Sequence, residues 1–403
     1  MPEISLADRP ARLTACLALI AFLPMLSSDL FLPALPAIAS ALAVPVAATQ
    51  RLFDSYFAGL ALSLLVCGPL SDRHGRRRPL LAALALHAAT SLATAGAHDL
   101  ATLSACRFAQ GLASGIPVAL WRSIAFDALP LEAATRAISV VMPVMVVSPA
   151  LAPIVGEWIA ALAGWRAIFA ALAGVAALAF VLTWGFVPET HRPAPAGGAA
   201  RQSMSSWLAL ARSRRFVSFC ALACAAYAAY FLYLFQAPLL LLALGYTPRA
   251  IGYAYLPVTA GFVLGSTVGR RLAPRAGDRA IVTAGTALFA AGAVLLAGWG
   301  VAGRPLGAAG LLLAAALLVA ANGTLLTIGV ARTMARFPTL RGTSSALLGF
   351  SQAAVTALMV GRMSRLNEVL PQARSLSIMI GACLLLAMAA LWVYRRAITD
   401  TSS

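Results

Sequence analysis

Gly68-Pro-Leu-Ser-Asp72-Arg73-His-Gly75-Arg76-Arg77-Arg78-Pro79 decides how the rest of the chain is read. Five charges stand in this glycine-punctuated stretch. Apolar sequence runs up to it from Phe57 and away from it through Ala95. A charged turn between two long apolar runs has a simple physical explanation: the runs lie in lipid and the turn lies in water.

The whole chain repeats the pattern. Of its 403 residues, 61% are hydrophobic and 11% are charged, and the mean hydropathy is +0.87. A soluble protein of this size could not hide so much apolar side chain. A spanning helix takes roughly 20 apolar residues, so about twelve with short loops use up the sequence. The expected runs are 13–38, 51–70, 79–97, 101–121, 136–160 and 165–187, then 216–244, 249–272, 279–299, 306–330, 342–361 and 375–394. Between the two sets lies 188–215, with Pro188, Pro193, Pro195, Gly197, Gly198 and five arginines. Proline and glycine there prevent a packed element. The expected organisation is an N-terminal half 1–187, a linker 188–215 and a C-terminal half 216–403. The fold class is all-α integral membrane, with roughly six helices per half related by a pseudo-twofold axis.

All 30 basic residues are arginine, and the formal charge is +17. They are scattered between apolar runs rather than gathered into one basic domain, which excludes nucleic acid as a partner. They read as topology signals. With the N-terminus in the cytoplasm, 22 arginines fall on the cytoplasmic side, 7 on the other, and Arg107 lies inside a helix. The run 13–38 lacks an A-x-A cleavage site and leads on into further apolar segments, so it is expected to stay as the first helix. The six cysteines sit in apolar runs without a CxxC pair, which argues against a metal or disulfide framework. The chain has no HExxH, no GxSxG, and one mid-helix histidine, His87, so a membrane enzyme is not expected.

Polar residues inside the apolar runs are the candidate functional groups, because charge in a membrane is costly and turns inward. Arg107 stands about two turns into its helix, with Gln110 on the same face and Gly111 and Gly115 forming a small-xxx-small packing surface. Asp29 lies in the first helix. Ionised, it would bind a cationic substrate group or pair with Arg107; protonated, it would release either. Pro149 and Pro153 each remove a backbone donor and bend their helix, and Gly156 permits close packing. Glu157 reads as a rim carboxylate near the outer end of that helix. Asp54 is placed to pair with Arg51 on one helix face. His87 reads as a packing residue. Tyr227, Tyr230, Phe231 and Gln236 suit a cavity for flat or amphipathic molecules, and membrane-interface tyrosines account for the same pattern equally well.

Several of these stretches carry a family likeness. Residues 68–79 resemble the signature between helices 2 and 3 of the major facilitator superfamily. Arg107-Phe-Ala-Gln110-Gly111-Leu-Ala-Ser-Gly115 resembles its helix 4 motif. Ser148-Pro149-Ala-Leu-Ala-Pro153-Ile-Val-Gly156-Glu157 resembles the helix 5 motif of its antiporters, apart from Glu157, where a small residue is usual. Ser28-Asp29-Leu-Phe-Leu-Pro33-Ala-Leu-Pro36 resembles the first-helix signature of drug exporters of the bicyclomycin/chloramphenicol-resistance type. Trp121–Asp127, with Phe126 where arginine is common, and Pro188-Glu189-Thr190 fit the same group. The C-terminal half agrees mainly in layout, with Gly342–Gly349 the best local echo.

The resemblance implies export of small amphipathic molecules by proton antiport and alternating access; an endogenous metabolite or a siderophore is the alternative cargo. It implies that Gly68, Asp72, Arg73, Gly75, Arg76 and Arg77 form a conformational latch. Arg107 and Gln110 would serve proton coupling or position the first helix. No cofactor beyond the proton gradient is implied. The expected setting is a monomer among lipids of a bacterial inner membrane, with both termini cytoplasmic.

Overall fold

The computed structural model describes residues 9–190, 208, 210–302, 307–336 and 341–399. Those residues form α-helices joined by turns and short 3-10 segments, with no strand among them. Most of the expected linker, 191–207, lies outside the described residues, as do the Asp72 side chain and most side chains of the Gly342–Gly349 stretch. In chain order the helices are α1 Arg9–Asp29, α2 Leu35–Ala41, α3 Arg51–His74, α4 Arg77–Ala95, α5 Leu100–Ala128, α6 Leu131–Ala163 and α7 Trp165–Phe186. After the linker come α8 Arg214–Ala243, α9 Pro248–Ala302, α10 Gly307–Arg336, α11 Arg341–Asn367 and α12 Gln372–Thr399. The run α9 is two helices meeting at Gly277, where φ is 73°.

Packing sorts the chain into two compact units. One holds the chain through Leu42 and from Ser55 into the linker; the other holds Ala43–Asp54 and everything after the linker. In the first unit α4 packs on α5 and α7, and α1 packs on α5, α6 and α7. Its core joins Leu17, Ile20 and Leu23 of α1 to Leu80 and Leu84 of α4 and to Leu120, Trp121 and Ile124 of α5. In the second unit α8 is buried along most of its length and packs on α10, α11 and α12, while α9 packs on α10.

Small residues set the closest crossings. A Cβ at Gly111 of α5 would run into the Tyr56 carbonyl of α3, and one at Gly59 would run into the Phe108 carbonyl. The two backbones therefore touch, as the small-xxx-small spacing predicts. Among the described residues, eight helical segments are long and apolar enough to cross a membrane. Neither α4 nor α5 is one of them, because His87, Ser91, Arg107, Gln110 and Ser114 lower their hydropathy. All five of those side chains are buried.

Two sequence expectations need correction. The first helix is not one run over 13–38. It stops at Asp29, passes through a 3-10 turn at Leu32–Ala34 and resumes at Leu35. Pro33 cannot donate to the Asp29 carbonyl, and Leu32, which precedes it, is biased away from helical backbone. The charged stretch 68–79 is also mostly helix. Helix α3 continues through Gly68 to His74, with Arg73 and His74 in its last turn, where cations suit the helix dipole. The turn itself is only Gly75-Arg76, and Gly75 takes φ 79°, a conformation that favours glycine.

Candidate functional site

The break in α1 creates the site. The last carbonyls of a helix have no intrahelical donor. Leu26 C=O is met by the Leu30 N–H (3.0 Å). Ser27 C=O is met by a side chain from another helix, Arg107 Nη1 at 3.0 Å. A guanidinium at a helix C-terminus also complements the dipole. The same Nη1 donates to Gln110 Oε1 at 2.7 Å, and Gln110 Nε2 donates to Ser91 Oγ at 2.6 Å. The Arg107 Cζ lies 4.4 Å from the Phe31 ring centre and 4.5 Å from that of Tyr56. Arg107 is 0% exposed, so ring faces and neutral dipoles compensate its lost hydration. Its Nε and Nη2 have no hydrogen-bond partner.

His87 of α4 closes the network. Ser114 Oγ donates to the Gln110 carbonyl at 2.8 Å. Ser114 Oγ also lies 3.3 Å from His87 Nδ1, and Ser27 Oγ lies 2.8 Å from His87 Nε2, donor and acceptor in each pair being set by the ring tautomer. Ser91 Oγ donates to the His87 carbonyl at 2.7 Å. Tyr56 of α3 donates its hydroxyl to the Pro24 carbonyl at 2.9 Å. Four helices thus fix one guanidinium, and among the described residues no carboxylate bonds to it.

Asp29 ends α1 and is 2% exposed. It accepts from Ser28 Oγ at 2.7 Å and makes no ion pair with Arg107 in this conformation. Asp29 and Arg107 therefore share the same break without touching.

The charged turn is held from two other helix ends. Glu189, just past α7, accepts from the Arg76 N–H (2.8 Å) and the Arg77 N–H (3.2 Å), capping α4. Arg76 Nε pairs with Asp127 at the end of α5 at 2.7 Å. Arg77 Nη2 donates to the Trp184 carbonyl. A Cβ on Gly75 would collide with the Glu189 carboxylate. Gly68, by contrast, faces open space, so close approach is not its role. Arg73 is exposed.

Helix α6 passes through Pro149 and Pro153 in one run. Gly156 meets the backbone at Leu30, where a Cβ would strike the carbonyl, so α6 packs directly on the α1 break. Glu157 is half-buried.

In the second unit, Tyr227, Tyr230 and Phe231 form a ring cluster, with centroids 4.7 Å and 4.9 Å from Phe231. Gln236 is engaged elsewhere. Its Oε1 accepts from Gln50 Nε2 at 2.6 Å, while Asn367 Nδ2 donates to Gln50 Oε1 at 2.7 Å. Arg51 makes no close ion pair with Asp54, although its charge still acts on that carboxylate; it faces Glu368 at 3.6 Å, both side chains well exposed. An exposed ion pair of this kind contributes little.

Sequence reading singled out Asp29, Arg107 and Gln110 but missed Ser27, Ser91, Ser114 and Tyr56, and it gave His87 only a packing role. It also missed Asn322 and Gln352 in the second unit, which bury polar atoms without hydrogen-bond partners. For His87, Asn322 and Gln352 an isolated polar residue in an apolar segment was the available signal.

The helical layers and the buried arginine define a polytopic membrane protein with an inward-facing polar site. The chain belongs to the Major Facilitator Superfamily, a family of membrane transporters, whose family model matches residues 17–360. It is 24% identical over 380 residues to a bicyclomycin resistance protein homolog of Haemophilus influenzae, covering 93% of this chain and 94% of that protein. It is 32% identical over 166 residues to the multidrug resistance protein MdtL of Shewanella oneidensis, covering 41% and 42%. The solved D-xylose–proton symporter superposes with a TM-score of 0.77 at 17% identity over 96% of this chain and 97% of that one, a likeness of fold.

Proposed function

We propose that this transporter exports small amphipathic molecules of drug type across the bacterial inner membrane, in exchange for protons and by alternating access, with both termini in the cytoplasm. One observation carries the reading. At the break in α1, a buried arginine whose partners among the described residues are neutral shares the break with a buried carboxylate that does not touch it. The relatives named for bicyclomycin and multidrug resistance support the substrate class.

Asp29 exchanges its occupants. Ionised, it takes a cationic substrate group or turns to the open Nε/Nη2 edge of Arg107. Protonated, it releases them. A proton arriving from outside thus displaces cargo, and its departure to the cytoplasm resets the site. Gln110 and the serines keep Arg107 fixed while this happens. Tyr227, Tyr230 and Phe231 offer aromatic surface to an amphipathic cargo. Pro149, Pro153 and Gly156 hold α6 against the break, and Glu157 stands at its rim.

The turn after α3 acts as a latch through Gly75, Arg76 and Arg77, with Asp72 and Arg73 in the helix end before it. Asp72→Ala is expected to slow turnover while leaving apparent substrate affinity near wild type. Unchanged turnover with weakened affinity would move these residues into the binding site.

Everted membrane vesicles test the coupling. Ethidium, an amphipathic cation, added to energised vesicles should release protons from the lumen with the wild type and not with Asp29→Asn. Equal release by both would remove Asp29 from the mechanism.

A further inference from the structure

The chain changes units twice before the transport site is complete. Packing assigns Leu42 to the first unit, Ala43–Asp54 to the second and Ser55 to the first again. The return falls inside α3, between Asp54 and Ser55.

Three carboxamides clasp this segment to the second unit. Gln50 ends a 3-10 turn over Val46–Gln50 and is fully buried, as is Gln236 of α8. Gln50 Nε2 donates to Gln236 Oε1 at 2.6 Å, and Gln50 Oε1 accepts from Asn367 Nδ2 of α11 at 2.7 Å. Gln236 Nε2 turns to Asn367 Oδ1 and to the Gln372 carbonyl at the start of α12, both at 3.4 Å. Phe53 adds a stacked contact on Phe235 of α8, with ring centres 3.8 Å apart. Buried amides that satisfy one another fix a segment in one register.

Both ends of the segment oppose this hold. At its first residue, Ala43 takes φ 51°, a left-handed conformation that strains a residue with a Cβ. At its last, Asp54 faces Gly361 of α11, where a Cβ would lie 3.9 Å from Asp54 Oδ2. Among the described residues, the buried Asp54 Oδ1 has no hydrogen-bond partner. Arg51, one turn earlier, faces Glu368 instead. That pair is exposed and weak, so little holds Arg51 to it. Undocking would let Ala43 return to right-handed backbone and give Asp54 both water and Arg51.

We propose that 43–54 is a detachable strap, held on the second unit by the Gln50–Gln236–Asn367 clasp and loaded for release at Ala43 and Asp54. On release Arg51 passes from Glu368 to Asp54. Helix α3 continues from the strap to Tyr56, whose hydroxyl holds the Pro24 carbonyl, so the strap sits on a helix that frames the transport site.

Hydrogen–deuterium exchange of the purified full-length protein in lipid nanodiscs, without cargo or proton gradient, reads the docking. The Ala48 N–H, bonded to the Pro45 carbonyl, and the Arg51 N–H, bonded to the Ala48 and Thr49 carbonyls, report it. Ala43→Gly relieves the docked backbone and should slow exchange over 43–54 about fivefold. Asp54→Asn removes the stranded charge and should slow it as well. Gln50→Leu should speed it about tenfold. Gln236→Leu, 186 residues away in sequence, should speed it by the same factor. The double substitution should add little to either, because each alone opens the same clasp. Unchanged exchange over 43–54 in Gln236→Leu overturns the proposal, because the segment would then be protected by its own turn alone. Unchanged or faster exchange in Ala43→Gly overturns it too, and this mild substitution decides the matter even where a glutamine variant fails to fold. The assay uses neither Asp29 nor a proton gradient. Its failure leaves the export reading standing, and loss of export leaves the strap standing.

Discussion

Among the described residues, the groups that touch Arg107 are dipoles and rings rather than counterions. The Ser27 carbonyl and the Gln110 amide take one nitrogen, and Phe31 and Tyr56 cover the guanidinium. His87 fixes the serines that frame this arrangement. His87→Phe leaves Ser27 and Ser114 without their ring partner and should destabilise the protein by about 1–3 kcal/mol. The thermal unfolding midpoint in detergent measures it. His87→Asn retains a hydrogen-bonding side chain at this position and should lose less; equal losses would assign His87 to packing alone. The charged members of this site were legible because charge in an apolar run is costly. The serines were not. A helical serine can return its proton to a carbonyl of its own helix, as Ser91 and Ser114 do, so its presence there signals nothing.

At the scale of elements, glycines and caps decide how closely helices meet. Gly111→Val should overpack the α3–α5 crossing and cost about 1–3 kcal/mol. Gly174→Ala in α7, where a Cβ meets nothing within 4 Å, should be close to neutral. Monodispersity and melting of the two purified variants distinguish them; similar behaviour would contradict the crossing. Glu189→Ala removes the acceptor that caps α4 and should cost about 0.5–2 kcal/mol, again read as a lower melting point. The Gly111–Gly115 spacing was legible from sequence, as was the existence of a turn after α3. Its length was not, because helix continues through Gly68 and Pro69 where punctuation residues suggest a stop. The partner of the turn was hidden for another reason: Glu189 lies 113 residues from Arg76 in sequence, and no local pattern encodes that contact.

For the whole molecule, hydropathy and the alternation of arginines carried the membrane class, and motif likeness carried the superfamily. The site depends on a break in α1 at Pro33, whose missing N–H and effect on the preceding residue interrupt the helix; hydropathy runs on unbroken over 13–38 and so suggests one helix there. Proton exchange at that break is the central claim. The most direct test places purified protein in liposomes with no other pump and follows internal pH with a trapped dye while an outward gradient of ethidium, an amphipathic cation, is imposed. The wild type should move protons against the direction of ethidium flux, and Asp29→Asn should not. Proton flux of equal size in Asp29→Asn, or none in the wild type while ethidium moves, would contradict it.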